Sequence, residues 1–184
     1  MPETTRPDQP IAMFNTLWFR PDGMQLYGEY GGEVLPILAD VGAELVTPFL
    51  MVDEPLEGGF DPDMVGFVRY PSAAAFDDMV DSDRYRRVAH LRSDAVHRAV
   101  LTRCAIEPPD PGAAVLEPGI AVLNMLWFHD GGRQRYAEYL SAVKPLVEAA
   151  GGRFAVVTDP AYAEVGALRT AAVRESATTI LTVL

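Results

Sequence analysis

The sequence predicts an α+β protein: a tandem of two ferredoxin-like units, the second shortened, packed together as an intramolecular pseudo-dimer. Three observations lead there. The pentapeptide NTLWF at residues 15–19 returns as NMLWF at 124–128. The two copies keep register at an offset of 109, so that Ile11 meets Ile120, Trp18 meets Trp127, Tyr27 meets Tyr136, Tyr30 meets Tyr139, Pro36 meets Pro145 and Gly42 meets Gly151. Within the first copy the apolar period changes along the chain in the order β-α-β-β-α-β, which is the ferredoxin-like unit.

Residues 1–10 are polar and proline-containing, with no apolar core, and read as a flexible tail. Residues 11–19 are rich in aromatic and branched types and read as a strand. RPDG turns the chain, and from Met24 to Val41 the positions Tyr27, Gly31, Val34, Leu38 and Val41 step by three and four, a helical period. Gly42 supplies the stop. A second strand is expected at 44–52, a loop at 53–63 and a third strand at 64–70. Residues 71–95 form a helix broken near Asp81–Ser82, and a fourth strand closes the unit at 97–106. The first unit is therefore 11–106. The prolines and glycines of residues 107–119 mark a linker.

The second unit, 120–184, is incomplete. HLRSDAVHRAVLTRCAI at 90–106 resembles ALRTAAVRESATTILTV at 167–183, but the offset has dropped to 77. The second copy thus lacks 32 residues, those matching about 58–89, which hold the third strand and most of the helix after it. Its second strand is expected at about 153–158, a connection at 160–174 and a final strand at 176–183. Either that second strand closes up beside the first or another strand fills the gap, because buried backbone groups do not stay unpaired. An exposed sheet edge left by the deletion predicts a homodimer.

Composition narrows the partners. A net charge of −11 repels the phosphate backbone and anionic lipid, so neither nucleic acid nor membrane is expected. No apolar run approaches the ~20 residues needed to span a bilayer. Cys104 is the single cysteine, so no intramolecular disulfide can form, which fits a reducing cytoplasm. Its apolar surroundings suggest a buried inert thiol. His90, His97 and His129 form no metal-binding pair, and no metal or cofactor is expected.

The stretch LEGGFDPDMVGFVRYPSAAAFDDMVDSDRYRRVAHLR resembles the middle of the domain-of-unknown-function 1330 family. Leu56, Glu57 and Gly58 match its Leu-Glu-Gly element. Tyr70, Pro71 and Ser72 match the end of the following strand, and Ser82, Tyr85 and Arg92 match its Ser-x-x-Tyr segment and later arginine. LVTPFLM stands where the family has a Gly-rich segment in the second strand. The resemblance implies the dimeric α/β-barrel superfamily, in which two ferredoxin-like units join sheets into a barrel. That superfamily mixes cofactor-free monooxygenases, isomerases, lyases, haem enzymes and ligand-binding modules. Some of its quinone-forming oxygenases use Asn, Trp and Tyr with an Arg, the types of Asn15, Trp18, Tyr27, Tyr30 and Arg69.

Strand alternation puts Ile11, Met13, Asn15, Leu17 and Phe19 on one face and Trp18 on the other. Asn15 is then an amide among apolar neighbours, either a structural asparagine or a polar anchor inside a ligand pocket. Tyr27 and Tyr30 lie one turn apart at the start of the helix, where their hydroxyls meet a pocket mouth or water. Gly28, Gly31 and Gly32 in that helix suggest close approach by a ligand or a second helix. The expected site belongs to the first copy, with Asn15, Tyr27 and Tyr30 as catalytic candidates and Trp18, Phe19 and Arg69 as substrate-binding candidates. Two functions follow. One is a small cofactor-independent enzyme that oxygenates, cyclises or isomerises a hydrophobic, aromatic or polyketide-like molecule, as in secondary metabolism. The other is a non-catalytic barrel that binds a ligand or a protein.

Overall fold

The computed structural model describes residues 9–46, 50–105, 119–152 and 173–183. Strand β1 (Ile11–Phe19) leads through a turn at Asp22 into α1 (Gly23–Asp40). Two strands follow, β2 (Glu44–Leu45) and β3 (Leu50–Glu57), then β4 (Met64–Tyr70). Helices α2 (Ala73–Asp81) and α3 (Asp83–Ala95) precede β5 (Val96–Ala105). The second half contributes β6 (Gly119–Phe128), α4 (Gly132–Ala149) and β7 (Val173–Val183).

The sheet is antiparallel and its strand order is β5-β1-β4-β3-β7-β6, with β2 also pairing to β4. Its first four positions are the ferredoxin-like order expected of the first copy. The helix expected at 71–95 breaks where it should. The Ser82 hydroxyl donates to the Met79 carbonyl at the end of α2 and accepts from the Tyr85 amide at the start of α3, at 2.7 and 3.1 Å. One serine therefore ends one helix and caps the next.

The second strand differs from its expectation. It is divided, and its distal part runs on to Glu57 through residues that were expected to be loop. The reason is a long-range partner. β3 leaves β4 after Met51 and continues along β7, from Met51 opposite Thr182 to Glu57 opposite Thr178. Register shifts between Val52 and Glu54 and between Pro55 and Glu57 let the ladder absorb Pro55, which has no N–H to give. The two halves thus share one sheet.

Repetition is visible in the backbone. β1 pairs with β5, and β6 with β7, and each ladder slips at the same place, between Trp18 and Phe19 and between Trp127 and Phe128. Each strand is followed by a left-handed residue before the helix, Asp22 at φ 61 and Gly131 at φ 74. The final strand of the second half begins at Val173, three residues before its expected start. The expected tail at 1–8, most of the linker and the strand expected at 153–158 lie outside the described residues. Gly119 belongs to β6, where it pairs with Val183. Among the described residues β6 pairs with β7 alone.

The two sheet faces carry separate cores. Ile11, Met13 and Leu17 of β1 meet Tyr27, Tyr30, Val34, Ile37 and Leu38 of α1, with Met64, Val68 and Tyr70 of β4. The opposite face collects Ala12, Phe14, Leu50, Val65 and Phe67, with Phe14 and Phe67 stacked at 4.6 Å. Ala121, Leu123 and Met125 of β6 pack against this second cluster, so the sheet curls toward it. Cys104 borders it half-buried, rather than buried as its sequence suggests.

Gly23 is the tightest joint. The Arg20 amide donates to the Ala95 carbonyl at 2.9 Å, and a Cβ built on Gly23 would stand 2.0 Å from that same oxygen. By contrast, nothing among the described residues lies within 4 Å of a Cβ built on Gly28, Gly31 or Gly32, so no described helix makes the close approach expected there. We expect Gly23→Ala to destabilise the chain by ~1–3 kcal/mol through overpacking against backbone. Gly28→Ala should stabilise it by up to ~1 kcal/mol through helix propensity. Urea unfolding of the two variants checks both signs.

Candidate functional site

The candidate site lies between α1, α3 and the helix-covered face of the sheet. β1 alternation brings Asn15 and Phe19 to this face beside Ile11, Met13 and Leu17. Asn15 lies opposite Gly66 of β4 and Leu101 of β5, is 9% exposed, and donates its side-chain N–H to the Met13 carbonyl at 3.3 Å. Its side-chain amide thus has a backbone partner two residues back on its own strand.

Aromatic rings continue from Phe19 into the helix. Phe19 and Tyr27 sit 5.6 Å apart between centroids, and Tyr27 and Tyr30 5.3 Å. α3 faces them with Tyr85 and Arg92, seven residues apart and so on one side of the helix. The hydroxyls of Tyr30 and Tyr85 are 3.5 Å apart, and Arg92 donates a hydrogen bond to the Tyr27 hydroxyl. Tyr70, at the end of β4, completes the cluster and meets Phe76 of α2 edge-on at 5.2 Å. Burial pushes the Tyr27 phenol up to about 12, against a smaller opposing pull from Arg92. Burial also raises Tyr30 and Tyr70 well above the ordinary phenol range. These three phenols are neutral hydrogen-bonding groups across all ordinary pH.

Two sequence candidates lie elsewhere. Trp18 faces the other side of the sheet, as alternation dictates. Its indole N–H points to the Asp61 carboxylate at 3.5 Å, Phe60 meets it edge-on at 6.2 Å, and the Arg98 guanidinium lies 4.0 Å over its ring. Arg69 pairs across the ladders with Ala12 and Glu44, so it shares the face of Ala12 and Phe14 rather than that of Tyr70. Of the residues expected together, Phe19, Tyr27 and Tyr30 pack in one cluster, Asn15 lies on the same sheet face by alternation, and Arg69 lies on the other, because residues 69 and 70 of a strand point opposite ways. Arg92 of α3 is the arginine that lies beside these phenols. Sequence reasoning missed Tyr70, Tyr85 and Arg92 as site residues, although all three stand in the segments that carry the family resemblance.

The second half repeats only the ring stack. Phe128 and Tyr136 are 5.4 Å apart, and Tyr136 and Tyr139 4.9 Å. Asn124 is exposed, and the residues matching Tyr70 and Tyr85 fall within the deleted 32. Arg169, which aligns with Arg92, lies outside the described residues. Among the described residues no group of three or more His, Cys, Asp or Glu could hold a metal ion, and no helix is long and apolar enough to cross a membrane.

The first half is a ferredoxin-like antiparallel sheet covered by helices on one face, in a protein of the α+β class. Residues 19–102 match the model of the family called Domain of unknown function (DUF1330). A protein of unknown function from Rhodopseudomonas palustris is 28% identical, covering 58% of this chain and 88% of its own, at a TM-score of 0.51. Its methylated form gives 29% identity, 58% and 86% coverage and a TM-score of 0.52. A candidate monooxygenase from Lactobacillus acidophilus is 8% identical over 95% of this chain and 93% of its own, at a TM-score of 0.56, a likeness of fold alone. No curated protein matches the sequence.

The raised phenols make stability pH-dependent. Each binds its proton more tightly in the folded chain than at its ordinary value of 10.0, so its contribution is complete below pH 10 and declines as pH rises beyond. Urea midpoints should hold level up to about pH 10 and fall above it. Tyr30→Phe should flatten that fall; a variant that tracks the wild type point for point would contradict the assignment.

Proposed function

We propose that the chain is a small enzyme without a permanent cofactor that takes a hydrophobic, aromatic or polyketide-like molecule at the α1–α3 face and oxygenates, cyclises or isomerises it. The observation that carries this reading is the convergence of un-ionised Tyr27, Tyr30 and Tyr70 with Tyr85 and Arg92 inside an otherwise apolar layer. Neutral phenols donate to an oxygen on which negative charge develops, and an enclosed setting strengthens that interaction. Phe19 and the tyrosine rings supply a surface for a flat ligand. Asn15 joins the site when a ligand oxygen replaces the Met13 carbonyl as its partner.

The same phenols favour a second reading. Held un-ionised, none is a base at neutral pH, which suits a module that binds its ligand without changing it. Denaturing mass spectrometry of small molecules co-purified with wild type, Asn15→Ala and Tyr30→Phe separates the readings. We expect an aromatic compound with the wild type, at roughly tenfold lower occupancy in Tyr30→Phe, the scale of losing one buried hydrogen bond. A substrate and product pair supports catalysis; a single unaltered compound supports the binding module; no compound in any sample counts against both.

We also propose the division into a unit at 11–106, a linker at 107–119 and a shortened unit at 120–184, packed as a pseudo-dimer and assembled as a homodimer. The repeated bulge positions support the first part. Exposed apolar residues of the second half support the second: Ile120 is 78% exposed, Val122 55% and Leu146 62%. Sedimentation equilibrium at micromolar concentration should return twice the 20.1 kDa of one chain. A clean single-chain mass would remove the dimer.

A further inference from the structure

Arg92 stands apart from its neighbours in how its charge is met. Arg84 pairs with Asp40, Arg86 with Asp81 at 2.7 Å and Arg103 with Asp77 at 2.8 Å, all at exposed positions. Arg92 points inward from α3 and pairs with no carboxylate among the described residues, in a chain that carries 26 acidic side chains. Its Nη2 is fully buried and has no hydrogen-bond acceptor among the described residues. The groups gathered around it are the phenols of Tyr27, Tyr30, Tyr70 and Tyr85. None supplies a negative charge.

Arg92 as a whole is partly buried, but a fully buried charged donor left without an acceptor is costly. Such an atom calls for an explanation, whether a water, an ion or a ligand that meets it. A neutral ligand oxygen would satisfy the donor and leave the charge uncompensated. An anionic oxygen does both, through the shorter and stronger charge-assisted hydrogen bond. The apolar remainder of the layer sets the other requirement, a hydrophobic body carrying that oxygen.

We infer that the ligand of this face is a monoanionic aromatic molecule, a carboxylate, phenolate or enolate, whose anionic oxygen is held by Arg92 Nη2 while its ring lies along Phe19 and Tyr27. The inference rests on reading the face as a ligand site. It makes Arg92 a binding residue and gives the neutral phenols the task of donating to the same oxygen without repelling it.

Isothermal titration with 1-naphthoate and its uncharged counterpart 1-naphthamide tests it on wild type, Arg92→Gln and Arg92→Lys, each first checked for native circular dichroism. Wild type should prefer naphthoate by roughly tenfold or more. Arg92→Gln should bring the two probes to within about twofold, chiefly by losing naphthoate affinity. Arg92→Lys should keep part of the preference, since a point charge remains without the planar fork. Equal binding of both probes to wild type overturns the anion inference and leaves the ligand face standing. A preference that survives in Arg92→Gln places the anion on another group and also overturns it. Binding of neither probe removes both the inference and the reading beneath it. Should Arg92→Gln fail to fold, the wild-type preference and its reduction in Arg92→Lys decide the matter.

Discussion

The ladder between β3 and β7 is the interaction on which the rest of the architecture depends. β3 spends its first two paired residues on β4 and then pairs with a strand from the other end of the chain. Without it the second half would share no sheet with the first among the described strands. The ladder also puts β6 where Ala121, Leu123 and Met125 can meet the cluster around Phe14 and Phe67. That apolar face of the first half is thereby covered from within the chain. With one face so occupied, the helix-covered face is left to hold the polar cluster. Pairing and site are linked through which side of the sheet each uses.

On that helix-covered face, two kinds of aromatic residue do different work. Phe19 and the rings of Tyr27 and Tyr30 build a continuous apolar wall. The tyrosine hydroxyls turn the far side of that wall toward Tyr85 and Arg92. The acidic residues near β1 brace that strand instead, Asp61 accepting from the Trp18 indole. Asp63 accepts the Phe19 amide at 2.6 Å and returns its own amide to the Leu17 carbonyl at 2.9 Å, closing the end of β1. The DPD motif is thus a clamp on the strand that leads into the site, with Pro62 between its acids fully buried.

Much of this was legible in residues 11–105. Period, turn chemistry and the Ser82 break gave the elements within a residue or two, because local preference and burial agree there. The alternation rule also separated Asn15 from Trp18. What it did not give was the far end of β3. DEPLE reads as loop by composition, and only a partner more than a hundred residues away makes it a strand. Arg69 shows the same limit at the scale of a side chain. Residue type suggested it for the site, while its parity on β4, one position from Tyr70, sends it to the other face. Arg92 was harder still. Nothing in its sequence surroundings marks its charge as unpaired; that follows from the absence, among the described residues, of a carboxylate paired with it.

The joint at Gly23 has a bearing on how such a site can change over generations. The separation of β1 and α1 from the end of α3 is set there by backbone against backbone, Gly23 and Arg20 against the Ala95 carbonyl. The side chains at positions 27, 30, 85 and 92 hang within a frame whose gauge they do not determine. A descendant can therefore exchange the guanidinium for a neutral or acidic group and acquire a different chemical taste without first redesigning its scaffold. The second half has a glycine at the matching position, 132, and no described counterpart of Tyr70 or Tyr85.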